Sequence, residues 1–397
     1  MQIFIDKELE YGANNYSSLP VVLNKAKGVY VYDTNGKRYL DMMSAYSAVS
    51  LGHSNPKIVA ALQEQIAQLG VVSRAVFNDK LPLFMQKLCK LSGLDKVIPM
   101  NSGAEAVETA LKIARKWGEK VKKVPKNHGE IIVCKNNFHG RTLGIISFSS
   151  EEQYKDGFGP FLSGFKQVDF NNIKQLEDTI TTNTVAFLLE PIQGEAGIII
   201  PSEGYLLKVR ELCTQHNVLL ILDEIQCGLS RTGKLFNFQY SNIKPDLLIL
   251  GKALGGGLYP VSCVVGTKET MAVITPGDHG STFGGNALAS AIGLKSLELL
   301  SDSRLLNHVT ELGEYSLKYL RENLKSNQYV REIRGQGLFI GIELTIKAKP
   351  VVMELLKNGV LTKDTHENTI RIAPPLVITK AQIKIALDKI IKAILSI

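Results

Sequence analysis

No apolar stretch in this chain approaches the length needed to cross a bilayer. Its first residues, Met1-Gln-Ile-Phe-Ile-Asp-Lys-Glu8, are mixed in charge and carry neither a secretory apolar core nor an Arg/Ser-rich transit composition. A cytoplasmic protein without a membrane partner is therefore expected. Cysteine is scarce and scattered: Cys89, Cys134, Cys213, Cys227 and Cys263 form no C-x-x-C pair and show no metal-ligand spacing. Reduced thiols and no bound metal follow as expectations. Internal repeats and low-complexity tracts are absent. The net charge of +8 is diffuse, and its densest cluster, 116–126, follows a helical segment and reads as a solvated face. No basic stripe interleaved with aromatics and no nucleic-acid module is visible, so nucleic acid is not an expected partner. A mild attraction for anionic small molecules is the remaining consequence.

What is present is the composition of a globular enzyme. At 397 residues the chain exceeds one small core, and two domains with large apolar faces are expected. Residues 1–56 read as an irregular segment with one hairpin, turned at Asn35-Gly36 between two apolar-aromatic runs. Over 57–302, short apolar runs at 96–99, 131–134, 185–189, 218–222, 247–250 and 261–265 alternate with helical segments. That alternation predicts an α/β domain, a mostly parallel sheet wrapped by helices. Residues 303–397 form a second, smaller α+β unit, closed by a helix at 380–395.

Lys252 and Asp223 are the most informative pair. Each follows an apolar run, which places both at the carboxyl edge of a sheet, where open α/β sheets bind ligands. A lone strand-end lysine would be an ordinary surface residue; the strand-end aspartate twenty-nine residues before it changes that reading. A lysine able to form a Schiff base and an aspartate able to hold a pyridinium nitrogen are the two anchors of pyridoxal 5'-phosphate.

Other segments supply the rest of such a site. Asn101-Ser-Gly-Ala104 opens a helix whose Ala104, Val107, Leu111 and Ala114 recur at helical spacing. Ser102, Gly103 and Ala104 would then offer a hydroxyl and backbone N–H groups to a phosphate at the helix N-terminus, although Ser-Gly also serves as a plain helix cap. After the 131–134 run, Phe138 is placed to stack on a flat ring and Arg141 to hold a carboxylate bidentately, with His139 between them in a packing or supporting role. Glu195 sits in a glycine-flanked turn. Gln226 lies three residues after Asp223 and is suited to donate to a ring hydroxyl. Ser281 and Thr282, among glycines, offer a second phosphate cradle.

Together these pieces resemble the class-III pyridoxal-phosphate aminotransferases over nearly the whole chain, from Tyr11-Gly-Ala-Asn-Asn-Tyr16 to Ile370-Arg-Ile-Ala-Pro-Pro-Leu376. The Asp223 and Lys252 constellation belongs to the broad class. The segments around Tyr16, Tyr46, Glu195 and Arg371 narrow it to members that use ornithine. The resemblance implies an aspartate-aminotransferase-like fold (fold type I) and a homodimer with shared active sites. It implies that Lys252 anchors the cofactor, Asp223 pairs with the ring nitrogen and Phe138 stacks on the ring. Ser102, Gly103 and Ala104 would bind the phosphate, joined by Thr282 of the neighbouring subunit. Tyr16 and Arg141 would hold the α-carboxylate end of ornithine, with Tyr46 lining the pocket.

The implied reaction takes L-ornithine and 2-oxoglutarate to L-glutamate 5-semialdehyde, which cyclises to pyrroline-5-carboxylate, and L-glutamate. It poses a physical problem, because glutamate reacts at a carbon bearing a carboxylate and ornithine at a terminal CH₂. An unpaired arginine beside the reacting carbon suits only the first. The resemblance implies that Glu195 pairs with Arg371 while ornithine is bound and releases it for glutamate, a device that masks a charge. Two positions depart from the family pattern: His139 stands where a bulky aromatic is common, and Cys227 where a threonine is common. Rival readings of the same residues are an acetylornithine or other ω-amino-acid aminotransferase and an isomerase of the glutamate-semialdehyde aminomutase type. A non-catalytic scaffold is opposed by the joint presence of Lys252 and Asp223.

Overall fold

The computed structural model describes residues 1–397. Its centre is a seven-stranded sheet ordered Lys96–Met100, Ser262–Gly266, Leu247–Leu250, Leu219–Asp223, Thr184–Leu189, Glu130–Cys134 and Phe165–Val168. All run parallel except Ser262–Gly266, which is antiparallel to both neighbours. The inner strands read as unbroken apolar runs because both faces are covered. Ile221 and Ile249 face the helix Gly103–Lys120, whose Val107, Ala110 and Ala114 are fully buried. The alternate residues, Leu222 and Leu250, join an apolar core that continues through the helix Ala287–Leu300 to Ile340 and Ile370 of the C-terminal sheet. The edge strand Phe165–Val168 was not among the predicted runs. Its Phe-Lys-Gln-Val sequence is only half-buried, so it carries no continuous apolar signature.

A second sheet, ordered Val330–Gln336, Phe339–Leu344, Thr369–Ile372 and Asp364–Thr365, lies in the C-terminal part with the helices Lys349–Lys357 and Lys380–Leu395. The third sheet joins the two ends of the chain. Strands Leu23–Lys27, Tyr30–Asp33 and Arg38–Asp41 come from the N-terminal segment, and Val360–Leu361 adds to them in parallel. The hairpin turns at Asn35-Gly36, where Gly36 takes φ +82° and the Asp33 carboxylate accepts the Asn35 and Lys37 N–H groups at 2.9 Å. No helix is long and apolar enough to cross a membrane.

Candidate active site

The carboxyl ends of four parallel strands converge on a cavity of about 210 Å³. Glu130–Cys134 leads to Phe138 and His139, Thr184–Leu189 to Glu190, Leu219–Asp223 ends on Asp223, and Leu247–Leu250 leads to Lys252. An outer cleft of about 1750 Å³ shares Phe138 and Lys252 with the inner cavity, so these two residues stand at the neck between them.

Asp223 is almost wholly buried, yet both oxygens are engaged: Oδ1 accepts the Ile225 N–H at 3.0 Å and Oδ2 accepts from His139 Nδ1 at 2.7 Å. Burial opposes protonation of His139, but the hydrogen bond and charge of Asp223, with Glu190 behind, raise its pKa overall. Glu190, itself buried, accepts the Phe138 N–H at 3.0 Å and the Gly194 N–H at 3.2 Å, which ties two loops of the site together. Burial pushes its carboxyl up to about 7.

Lys252 opens a short 3₁₀ turn, Lys252–Gly255, with φ +45°. That left-handed backbone is costly for a non-glycine residue and turns the chain sharply at the strand end. Burial lowers the amine's pKa, with Arg371 adding to the effect and Glu195, Asp223 and Glu190 opposing it. A lowered pKa favours the free amine that a nucleophile requires.

The helix Gly103–Lys120 begins beside the cavity. Its Gly103 and Ala104 line the space, and their N–H groups have no intrahelical partners, which leaves them free for an anion. Ser102 behaves differently from its neighbours. Its N–H donates to Glu105 Oε2 at 2.7 Å and its hydroxyl accepts the Glu105 N–H at 3.2 Å, a capping box that turns both groups away from the cavity. Gln226 reaches in from the opposite side and donates to Glu195 Oε1 at 3.3 Å. Gly194 leaves room for that amide: a Cβ there would lie 1.7 Å from Gln226 Oε1 and would push the Gln226 side chain aside.

An unpaired N–H pair at a helix start, a buried carboxylate, a flat aromatic face and a buried amine fit a phosphate-bearing pyridine aldehyde. Pyridoxal phosphate therefore suits the inner cavity, which Gly103, Ala104, Phe138, Asp223 and Lys252 line.

Tyr16, Tyr46, Arg141 and Glu195 line the outer cleft. Arg141 lies over the Tyr154 ring at 3.7 Å and 5.6 Å from the Phe138 ring, so it is oriented by cation–π contacts rather than by a carboxylate. Tyr46 sits in a turn, Ser44–Ser47, whose four residues all have positive φ between 43° and 76°. Such a left-handed turn costs roughly 1–2 kcal/mol per residue and persists only where its surroundings hold it. They do: Asp41 Oδ1 accepts the Met43 and Ser44 N–H groups, and the buried Arg231 donates to the Ser44 and Ser50 hydroxyls and to the Leu338 and Pro374 carbonyls.

Behind Glu195 lies Arg371, only 2% exposed, and the two meet bidentately at 2.9 and 2.7 Å. Burial works against the Glu195 charge, but Arg371, with smaller help from Lys252 and Gln226, brings its pKa down to about 2. Arg371 itself lines neither space; Glu195 covers it.

Lys252, Asp223, Gly103, Ala104, Phe138 and Gln226 are thus brought together around the inner cavity, and Tyr16, Tyr46, Arg141 and Glu195 around the outer one. Ser281 and Thr282 lie outside both: Ser281 Oγ accepts from Asn101 Nδ2 at 2.8 Å, and Thr282 is exposed. Tyr154 and Thr365, whose hydroxyl donates to the Glu195 carbonyl at 2.6 Å, were not singled out in the sequence. Neither carries a local signal, since each meets its partner only through the fold.

The chain matches the family described as Aminotransferase class-III over residues 11–394. It is 51% identical over 388 residues to the ornithine aminotransferase of Brevibacillus brevis, covering 98% of this chain and 97% of that protein. Among solved structures, an ornithine aminotransferase of Toxoplasma gondii, described with partial occupancy of PLP at its active site, superposes with a TM-score of 0.98 at 42% identity, covering 100% of this chain and 94% of that one. An acetylornithine aminotransferase of Elizabethkingia anophelis gives a TM-score of 0.90 at 44% identity, covering 100% and 98%.

Proposed function

Because the chain belongs to the class-III aminotransferase family and uses its cofactor, pyridoxal phosphate, we propose that it is an ornithine δ-aminotransferase. L-Ornithine gives its δ-amine and leaves L-glutamate 5-semialdehyde, which closes to pyrroline-5-carboxylate. 2-Oxoglutarate accepts the amine and becomes L-glutamate. The observation that carries this reading is the Glu195–Arg371 pair, set within the substrate cleft and buried on the arginine side. A reaction with two donors, one bearing a carboxylate at its reacting carbon and one not, needs an arginine that is free for glutamate and covered for ornithine.

When bound, the cofactor supplies an electron sink for the carbon that loses its proton. The side chains do the remainder. Lys252 Nζ would anchor the cofactor and, as a free amine, would carry the proton at the reacting carbon. Asp223, held by His139 and the Ile225 N–H, keeps the ring nitrogen protonated by ion pairing. Gln226 would donate to the ring hydroxyl, and the Gly103 and Ala104 N–H groups would hold the phosphate. Tyr16 and Arg141 grip the α-carboxylate end of ornithine at the outer cleft, which directs its δ-amine toward the neck, and Tyr46 walls the pocket beside Arg371. Ser281 and Thr282 complete the phosphate cradle in the assembled enzyme, while the Ser102 hydroxyl stays in its capping box with Glu105. Cys227, buried beside the cavity, sets pocket shape alone.

The active unit is a homodimer in the cytoplasm. Thr282 sits beside the exposed Phe283, and Phe77 on the same chain is wholly exposed, apolar surface of the kind a subunit interface covers. The similarity to an acetylornithine enzyme favours one second reading, the same chemistry on the N-acetylated donor. Tyr16 and the Gly194-Glu195-Ala-Gly197 turn speak for the free amino acid instead.

Borohydride reduction of the holoenzyme followed by peptide mapping tests the site. The cofactor should be fixed on the peptide that contains Lys252, and Lys252→Ala should abolish turnover with the fold retained. Reduction onto another lysine, or substantial activity in that variant, would overturn the assignment.

A further inference from the structure

The turn that carries Glu195 is held from two sides by arginines of one cross-strand row. In the C-terminal sheet Arg334 lies opposite Gly341, and Gly341 lies opposite Arg371. Directly opposed residues of antiparallel strands point to the same face, so the two guanidinium groups flank a glycine. The turn rests in that gap. A Cβ on Gly341 would lie 2.9 Å from the Gly197 carbonyl oxygen. On one side Arg371 holds the Glu195 carboxylate. On the other, Arg334 donates through Nε to the Gly197 and Ile198 carbonyls at 3.0 and 3.1 Å, and through Nη2 to Gly197 at 2.8 Å.

The turn needs such a hold. Gly197 has φ +112° and Ile198 has φ +58°. A β-branched residue in the left-handed region is a true outlier, which relaxes unless its neighbours prevent it. The charge of Arg334 is matched separately: its Nη1 donates to Glu332 at 2.7 Å and to Glu343 at 2.6 Å. Arg334 therefore has no need of Glu195, and Glu195 is left to Arg371.

We propose that Arg334 is a positioning residue that sets the selectivity between the two amino donors. It fixes the backbone of the Glu195 turn, so Glu195 uncovers Arg371 by rotating its side chain while its turn stays in place. This inference rests on the reading of Glu195 as the cover of Arg371. Without the Arg334 donors, Ile198 relaxes, the turn shifts, and Glu195 loses its bidentate register on Arg371. Ornithine then meets an uncovered guanidinium, while glutamate meets the arginine it uses anyway.

The test measures single-turnover rates of the holoenzyme with ornithine and with glutamate. Variants are Arg334→Met, Gly341→Ala, Glu195→Ala and the double variant Arg334→Met/Glu195→Ala, each first shown by thermal melting to fold. Arg334→Met and Gly341→Ala, which disturb the turn from different atoms, should each lower the ornithine-to-glutamate ratio roughly 5- to 50-fold, inside the range of coupling between neighbouring residues. Arg334→Lys, which keeps the charge and one donor, should fall between wild type and Arg334→Met. In the Glu195→Ala background Arg334→Met should leave the ratio where Glu195→Ala alone puts it. Equal losses with both donors, a wild-type ratio in Arg334→Met, or a further change of ratio in the double variant would overturn the role of Arg334. A wild-type ratio in Glu195→Ala alone would overturn the cover itself, and this inference with it.

Discussion

Removing the Glu195 carboxylate exposes the arithmetic of the site. In Glu195→Ala, Arg371, 2% exposed while Glu195 covers it, loses both of its short contacts, and its Nε already has no partner. Truncating one member of a desolvated, hydrogen-bonded charge pair costs about 2–5 kcal/mol. Glu195 is 28% exposed and faces a wide cleft, so water entering the vacated space repays part of that. The low end, about 2 kcal/mol, corresponds to a loss of roughly 30-fold in the ornithine half-reaction. Glutamate supplies its own carboxylate to Arg371 and no longer has to displace Glu195, so its half-reaction should hold or improve. Stopped-flow absorbance of the cofactor with each donor in turn reads both rates. Equal losses for the two donors would show that Glu195 is structural, and the covering role would have to be abandoned.

Three further outcomes follow from the same geometry. His139→Phe removes the hydrogen bond to Asp223, worth about 1.5–3 kcal/mol for a charged acceptor, so cofactor dissociation should strengthen roughly ten- to a hundred-fold; equilibrium dialysis giving an unchanged affinity would contradict it. Dilution of the holoenzyme to the monomer in the analytical ultracentrifuge should abolish activity, because Thr282 lines neither the inner cavity nor the outer cleft of its own chain, and a fully active monomer would refute shared sites. Burial raises Glu224 to about 8 from its ordinary 4.5, so the folded chain holds that proton more tightly than the unfolded one. The stability it contributes is whole below about 4.5 and is lost as pH rises through about 8. Glu224→Gln, which keeps an acceptor for one of the Asn237 and Phe238 N–H groups, should flatten the decline of Tm with pH over that window; an unaltered slope would mean that Glu224 is ionised throughout.

The sheet was legible where strands are buried on both faces. Leu219–Asp223 and Leu247–Leu250 are unbroken apolar runs, and the charged residue that ends or follows each one marks the site. Phe165–Val168, at the sheet edge, mixes polar and apolar residues and gave no such signal. The Ser102 and Glu105 spacing is a capping-box signature in the sequence, yet only the structure shows that it takes the Ser102 hydroxyl away from the cavity. His139 and Asp223 lie 84 positions apart, and Arg334 and Gly197 lie 137 apart. No periodicity reports contacts of that range; they arise from which strands are neighbours. The left-handed turn at Ser44–Ser47 was hidden for a different reason: its residues have no local preference for positive φ, and Arg231, from far along the chain, holds it.

The central claim, that this site works on the δ-amine of free ornithine, is tested most directly by one titration. The holoenzyme is mixed with ornithine, lysine, N-acetylornithine or 4-aminobutyrate, without any 2-oxoacid, and conversion of the cofactor to its amine form is followed by absorbance. The account predicts that ornithine reacts fastest, with pyrroline-5-carboxylate released in equal amount to the cofactor converted. Preference for N-acetylornithine, or no conversion by ornithine at all, would contradict it.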